Sequence, residues 1–198
     1  MERILFIDAC LRGPEQSRTY GLCRHFLAEY TARHPSTEVI RRELAAMELP
    51  VMTGKLAQER EGWLKGEPEH PLLQPAKDMA GADLILVGAP YWEYQLPALL
   101  RCYLEQISVG GLTFVYGEDG RPHGLCKPNK LFYITTAGGP ILDRNCGFDY
   151  IKTLCGNMLG FTDIDYVAAE CLDVWGVNVE EKIREAEEVL RSKIKSWH

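Results

Sequence analysis

The sequence has no run of lysine and arginine, and no apolar stretch reaches the length that crosses a bilayer. Its 198 residues carry 22 basic and 28 acidic side chains, which gives a net charge of −6. Because nucleic acids and anionic membrane surfaces bind through clusters of basic side chains, this balance argues against either as the main partner. The N-terminal apolar stretch is too short, and meets Asp8 too early, for a signal peptide. We therefore expect a soluble, cytoplasmic protein.

The seven cysteines include no Cys-x-x-Cys motif, and their odd number and scattered spacing argue against a disulfide framework. His123 and Cys126 come closest to a metal-binding pair, but no further ligands lie near them in sequence, so we expect no metal site. Cys10 resembles the nucleophile of a phosphatase loop, which has five residues between its cysteine and its arginine. Arg12 is too close and Arg18 is too far, and the sequence contains no Asp-Pro pair, which disfavours this alternative.

Segments typical of strands alternate with segments of helical periodicity along the whole chain. The predicted strands cover residues 3–9, 37–44, 83–88, 131–136 and 164–168. The predicted helices cover residues 18–33, 72–80, 97–108, 147–159 and a C-terminal segment that begins after Asn178. Residues 48–71 are predicted to be irregular, and residues 118–120 to form the tip of a hairpin. The alternation predicts one α/β domain over residues 1–198, a doubly wound sheet of five parallel strands in the order 2-1-3-4-5.

The loop after the first predicted strand ends in Ser17, Arg18 and Thr19, at the start of a predicted helix. A helix N-terminus offers free N–H groups and partial positive charge, so phosphate binds there readily. The two hydroxyls add hydrogen-bond donors, and Arg12 and Arg18 add positive charge. Ser17 also fits the simpler role of a helix cap, which uses the same N–H groups.

Two further loops follow predicted strands that lie beside the first in this sheet order. The loop after the third strand contains Pro90, Tyr91, Trp92, Glu93 and Tyr94, whose aromatic rings could stack on a flat ligand or pack in a core or interface. The loop after the fourth strand contains Thr136, Ala137, Gly138 and Gly139, where glycine permits either a close backbone approach or a tight turn. Since ligands of open α/β sheets bind at the carboxyl ends of strands, the three loops together predict one site for a planar, phosphorylated cofactor.

In these residues the chain resembles the flavodoxin-like NAD(P)H:quinone oxidoreductases, a group that includes the FMN-dependent NADH-azoreductases. The resemblance is most specific at Pro90-x6-Pro97, continued by Ala-Leu-Leu-Arg at 98–101 and Gly-Leu-Thr-Phe-Val-Tyr-Gly at 111–117. A second block runs from Gly-Leu-Cys-Lys at 124–127 to the glycine pair. The resemblance implies a flavodoxin-like, three-layer fold and FMN rather than FAD as the cofactor. It also implies NADH or NADPH as co-substrate, a quinone-like or azo small molecule as electron acceptor, and a homodimer.

The same resemblance assigns roles to the three loops. Ser17, Arg18 and Thr19 fall where the family holds the flavin phosphate. The loop from Pro90 to Tyr94 falls where the family lines the isoalloxazine ring, and the loop from Thr136 to Gly139 falls where it contacts the other edge of that ring. Three positions depart from the family: Cys10 stands where serine is frequent, Glu93 where asparagine is frequent, and Ala137 where a larger polar residue is frequent.

The sequence has no Gly-x-Gly-x-x-Gly motif, which argues against a dedicated dinucleotide site. In the family the nicotinamide stacks on the flavin itself, so the sequence names no catalytic residue. Two alternatives stay open: an FMN electron carrier without a substrate, and a regulatory subunit that has lost flavin. Residues 48–71 and the hairpin are expected to obstruct the flavin edge and, in related enzymes, to meet a second subunit. That expectation favours the enzyme over the carrier.

Overall fold

The computed structural model describes residues 2–127, 130–143 and 145–196. Its strands are β1 (Arg3–Asp8), β2 (Glu38–Glu43), β3 (Leu84–Gly88), β4 (Phe114–Tyr116), β5 (Pro122–Gly124), β6 (Lys130–Thr136) and β7 (Asp163–Ala169). Five of them form one parallel sheet in the order β2-β1-β3-β6-β7, and β4 and β5 form a separate antiparallel hairpin. The predicted order 2-1-3-4-5 is therefore confirmed once the two hairpin strands are set aside.

Helices cover both faces of the sheet. They are α1 (Arg18–Arg33), α2 (Gly54–Gly66), α3 (Gln74–Gly81), α4 (Ala98–Ile107), α5 (Cys146–Asn157) and α6 (Val179–Ser196), with short 3₁₀ turns at Leu44–Ala46 and Pro71–Leu73. Over the described residues, no helix combines the length and the apolar character that crossing a membrane requires.

Alternate residues of the central strands point to opposite faces and supply two separate cores. One core contains Leu5, Ile7, Ile85, Val87, Leu131 and Tyr133 and lies against α3, α4 and α5. The other contains Ile4, Phe6, Leu84, Leu86, Phe132 and Ile134 and lies against α1 and α6. Burial on both faces is the reason why β1, β3 and β6 appear in the sequence as continuous apolar runs. The three-layer architecture is confirmed.

The prediction of an irregular segment over residues 48–71 is wrong, because this segment contains α2. The helix begins after Thr53, whose hydroxyl accepts a hydrogen bond from the Leu56 N–H at 3.2 Å. None of its residues is fully buried, and only Trp63 and Leu64 pack against a small cluster beneath it. A helix with no buried face needs no regular spacing of apolar residues, so the hydrophobic periodicity of the sequence does not predict α2.

Other predicted elements are confirmed, and none of their ends is shifted by more than two residues. The C-terminal helix begins after Asn178, whose side-chain oxygen accepts a hydrogen bond from the Glu181 N–H at 3.1 Å. The predicted hairpin is also present, and its strand β5 lies directly on the chain that follows α5. A Cβ atom at Gly124 would stand 2.0 Å from the carbonyl oxygen of Leu159, so this close contact requires glycine.

Candidate functional site

Three loops converge at the carboxyl edge of the sheet, where β1, β3 and β6 end. The backbone N–H of Tyr91 donates to the carbonyl of Thr136 at 2.9 Å, which ties the second loop to the third. The hydroxyls of Thr19 and Thr136 lie 2.7 Å apart and join the start of α1 to the end of β6. Both threonines are buried, so their contact forms part of the floor of a groove.

The groove consists of two neighbouring cavities. The first, of about 240 Å³, is lined by Leu11, Arg12, Gln16, Ser17, Arg18, Thr19, Pro90, Tyr91, Trp92, Thr136, Ala137, Gly138, Leu172 and Asp173. The second, of about 280 Å³, is lined by Tyr91, Glu93, Tyr94, Ala137, Gly138, Gly139, Pro140 and Leu142. Tyr91, Ala137 and Gly138 line both, so the two cavities form one continuous groove. We call the part beside α1 the helix end and the part beside Glu93 and Tyr94 the turn end.

The helix end combines positive charge with free hydrogen-bond donors. Ser17 caps α1, and its hydroxyl oxygen accepts a hydrogen bond from the Tyr20 N–H at 3.1 Å. Of the described residues, none accepts a hydrogen bond from the backbone N–H groups of Arg18 or Thr19. The guanidinium groups of Arg12 and Arg18 also lie here, and Arg12 stacks over the Trp92 ring at 5.8 Å from its centroid. Such an arrangement attracts an anion.

The turn end is a tight reversal of the chain in an unfavourable backbone conformation. The N–H of Trp92 donates to the carbonyl of Gln95 at 3.0 Å, and the N–H of Gln95 donates back at 2.8 Å. The two residues between them, Glu93 and Tyr94, have φ angles of 49° and 61°. Left-handed conformations at both central positions are those of a type I′ turn, which normally selects asparagine or glycine. The turn presents Tyr94, 69% exposed, beside the second cavity.

Two titratable groups, one lining the groove and one buried beneath β1 and β3, have raised pKa values. Burial raises the pKa of Tyr91 above its usual range, and the nearby thiol of Cys146 adds to that shift. Burial also raises the pKa of Cys23 well above its usual range, with a further contribution from the adjacent Cys10 thiol. Cys10 itself is buried, and its thiol donates to the carbonyl of Gly88 at 3.6 Å instead of lining the groove. This position offers no support for the phosphatase alternative.

All twelve residues predicted to form the site line this groove. Nine lie around the first cavity, and Glu93, Tyr94 and Gly139 lie around the second. Sequence reasoning missed Asp173, which follows β7 and reaches the helix end from the edge of the sheet. Its loop follows the fifth strand of the sheet, and that position alone could have suggested that it reaches the site, since no motif marks the residue.

The expectation that residues 48–71 and the hairpin obstruct the groove is not met within one chain. Among the described residues that line the two cavities, none belongs to α2 or to β4 and β5. Leu64 of α2 instead approaches Gly111, where an added Cβ would stand 3.3 Å from its side chain. Within one chain, these segments therefore do not favour the enzyme over the electron carrier.

The fold and the groove define an open, doubly wound α/β protein whose groove lies beside the switch point between β1 and β3. The chain belongs to the Flavodoxin-like fold family, whose sequence model matches residues 2–194.

Individual relatives are similar over the whole chain. A protein of Clostridium perfringens named FMN-dependent NADH:quinone oxidoreductase is 32% identical over 203 residues, and the alignment covers 100% of both chains. A protein of Clostridium acetobutylicum named FMN-dependent NADH:quinone oxidoreductase 2 is 33% identical over 205 residues with the same coverage. Among solved structures, the crystal structure of an azoreductase from Bacillus anthracis matches with a TM-score of 0.87 and 25% identity, covering 100% of each chain.

Proposed function

We propose that this protein is an FMN-dependent NAD(P)H oxidoreductase that transfers two electrons from NADH or NADPH through bound flavin to a quinone-like or azo acceptor. The observation that carries the proposal is a single groove with two chemically different ends. One end offers cationic groups and free N–H donors, and the other offers aromatic rings beside a glycine-containing loop. The names of the relatives, FMN-dependent NADH:quinone oxidoreductase and azoreductase, support the same cofactor and the same reaction class.

The residues at the helix end fit the phosphate of FMN. The N–H groups of Arg18 and Thr19 have no acceptor among the described residues, and a phosphate oxygen would supply one. Ser17 already accepts a hydrogen bond through its oxygen, so its O–H proton remains free to donate to phosphate. Arg18 adds a guanidinium beside these donors, and hydrogen bonds to a charged group are stronger than neutral ones.

The residues at the turn end fit the isoalloxazine ring. The backbone of Gly138 and Gly139 permits close approach to a flat ring, while Tyr91 and Tyr94 supply aromatic surface in the same cavity. When bound, flavin supplies the hydride chemistry, accepting a hydride from the nicotinamide and passing it to the acceptor. The chain would bind and orient the cofactor, and the Tyr91 phenol, whose pKa burial raises further above neutral, would stand uncharged beside the ring.

We further propose that the enzyme is a homodimer that acts in the cytoplasm. Three large apolar side chains, Tyr94, Leu142 and Tyr116, are each more than 60% exposed, and the first two line the turn end of the groove. A second subunit that covers Tyr94 and Leu142 would close the side of the groove that one chain leaves open. All seven cysteines are free thiols, which suits a reducing compartment. Sedimentation of the purified protein tests the dimer, and a monomer at micromolar concentration would contradict it.

Flavin binding and turnover can be tested separately with the purified protein. We expect added FMN to bind with quenching of its fluorescence, and NADH or NADPH to be consumed when a benzoquinone is supplied. An electron carrier would bind FMN but consume no reduced nicotinamide unless a reductase partner were added. Protein that binds no FMN would instead be the flavin-free regulatory subunit, and either outcome would overturn the proposed enzyme.

A further inference from the structure

Asp173 places a negative charge at the helix end of the groove, where the proposed function puts the flavin phosphate. Its Oδ1 atom accepts a hydrogen bond and forms an ion pair with Nη1 of Arg18 at 2.8 Å. The same Nη1 atom also donates to the carbonyl of Leu172 at 3.3 Å. Of the described residues that line the first cavity, Asp173 alone is acidic, against the two arginines Arg12 and Arg18. The carboxylate therefore neutralises part of the charge that attracts phosphate.

The position of this carboxylate is set by the backbone. The loop after β7 is hydrogen-bonded to the loop after β6, with the N–H of Leu172 donating to Ala137 at 3.1 Å and that of Asp173 donating to Gly138 at 2.9 Å. The preceding residue, Cys171, has a left-handed φ of 62°, which turns the chain into this pairing. Asp173 is thus anchored by its main chain even though its side chain is 65% exposed.

Gly138 provides the space that the carboxylate occupies. A Cβ atom at this position would stand 2.4 Å from Oδ2 of Asp173, closer than any real side chain tolerates. One carboxylate oxygen therefore faces Arg18, while the other lies against a residue that lines both cavities of the groove. This placement brings the negative charge to the wall of the site itself.

We propose that Asp173 is a specificity-determining residue that weakens the phosphate end of the flavin site and so lowers the preference for FMN over riboflavin. The inference rests on the proposed function. A flavin phosphate bound at the helix end carries a charge of about −2 at neutral pH, as a phosphate monoester with its second pKa near 6 does. Asp173 repels that charge and also competes with it for the guanidinium of Arg18. Riboflavin has no phosphate, so its binding is insensitive to both effects.

The test is Asp173→Asn, which has nearly the same shape and keeps an oxygen that can accept from Arg18 while removing the charge. We expect the dissociation constant for FMN, measured by flavin fluorescence, to fall by about tenfold at low ionic strength. The constant for riboflavin should stay unchanged, so the ratio of the two affinities rises. Because the effect is electrostatic and partly exposed, it should shrink when salt is added.

Asp83→Asn is the matched control. It removes the same charge and breaks an ion pair, with Lys127 at 2.5 Å, but it lies just before β3, at the end of the sheet where the strands begin. This variant should leave both flavin constants unchanged. An Asp173→Asn protein that binds FMN no more tightly, or that binds FMN and riboflavin more tightly by the same factor, would overturn the inference alone. A natural-sequence protein that binds neither flavin would overturn the proposed function and the inference with it.

Discussion

At the helix end of the groove, Thr19 and Thr136 are buried and joined through their hydroxyls, and Ser17 caps the helix that begins there. At the turn end, Glu93 and Tyr94 are exposed and hold left-handed backbone conformations that neither residue type favours. The helix end is thus ordered by side-chain hydrogen bonds, one of which joins two different elements of the fold. The turn end is ordered only locally, by two backbone hydrogen bonds across one exposed turn.

This difference indicates how each end would contribute to binding. A site that is ordered before its ligand arrives loses less conformational entropy on binding, so the helix end is suited to provide affinity. Strained, exposed residues are retained where they position a ligand, and their replacement disturbs few buried contacts. We therefore expect changes at the helix end to act mainly on cofactor affinity. At the turn end, we expect some substitutions to change the free energy of unfolding and others to change FMN affinity, but not both together.

The largest effect is expected from the double variant Ser17→Ala with Thr19→Ala. Each hydroxyl lost from a phosphate site removes a hydrogen bond to a charged group, which contributes about 1.5–3 kcal/mol. FMN affinity measured by fluorescence titration should fall accordingly, with the helix content by circular dichroism retained. Thr31→Ala is the control, because that hydroxyl donates to the Leu27 carbonyl at 2.8 Å in a later turn of the same helix. Unaltered FMN affinity in the double variant would contradict the placement of phosphate at this end.

We expect an intermediate effect from Glu93→Asn, which should increase the stability of the protein. Asparagine tolerates a left-handed φ better than glutamate does, so the free energy of unfolding should rise by about 0.5–1 kcal/mol. Urea denaturation measures this change. Glu93→Gln is the matched control, since it removes the same charge without a preference for the left-handed conformation. Equal stability of the two variants would show that the backbone conformation of this turn costs little.

A small effect on stability is expected from Tyr94→Ala. The side chain is 69% exposed, so the free energy of unfolding should change by no more than about 0.5 kcal/mol. FMN affinity should nevertheless fall by about 0.5–1.5 kcal/mol through the loss of an aromatic contact. Trp175→Ala, which removes a 99% exposed ring that does not line the groove, should leave FMN affinity unchanged. A Tyr94→Ala protein that is much less stable but binds FMN normally would contradict the prediction that this residue contributes to cofactor binding and not to stability.

Much of the fold could be predicted because its signals are local. The apolar runs of β1, β3 and β6 follow from burial on both faces, and Asn178 caps α6 as its sequence position predicts. The candidate groove was predictable for a related reason. Once the strand order is known, the loops at the strand ends must be neighbours, and the twelve residues named from those loops do line one groove.

Other features depend on contacts that no local pattern encodes. Helix α2 has no buried face to give its sequence a period, and its position depends on packing of Trp63 and Leu64 against distant residues. The left-handed turn at Glu93 and Tyr94 occurs in residue types that propensity would place elsewhere.

Sequence alone determined which segments form strands and helices and which loops end the strands, because burial patterns and helix caps involve only a few neighbouring residues. Tertiary structure alone decided which charges meet in the groove, since Arg18 and Asp173 are 155 positions apart in the chain. Their contact exists only because β7 completes the sheet beside β6 and carries its following loop back to the start of α1.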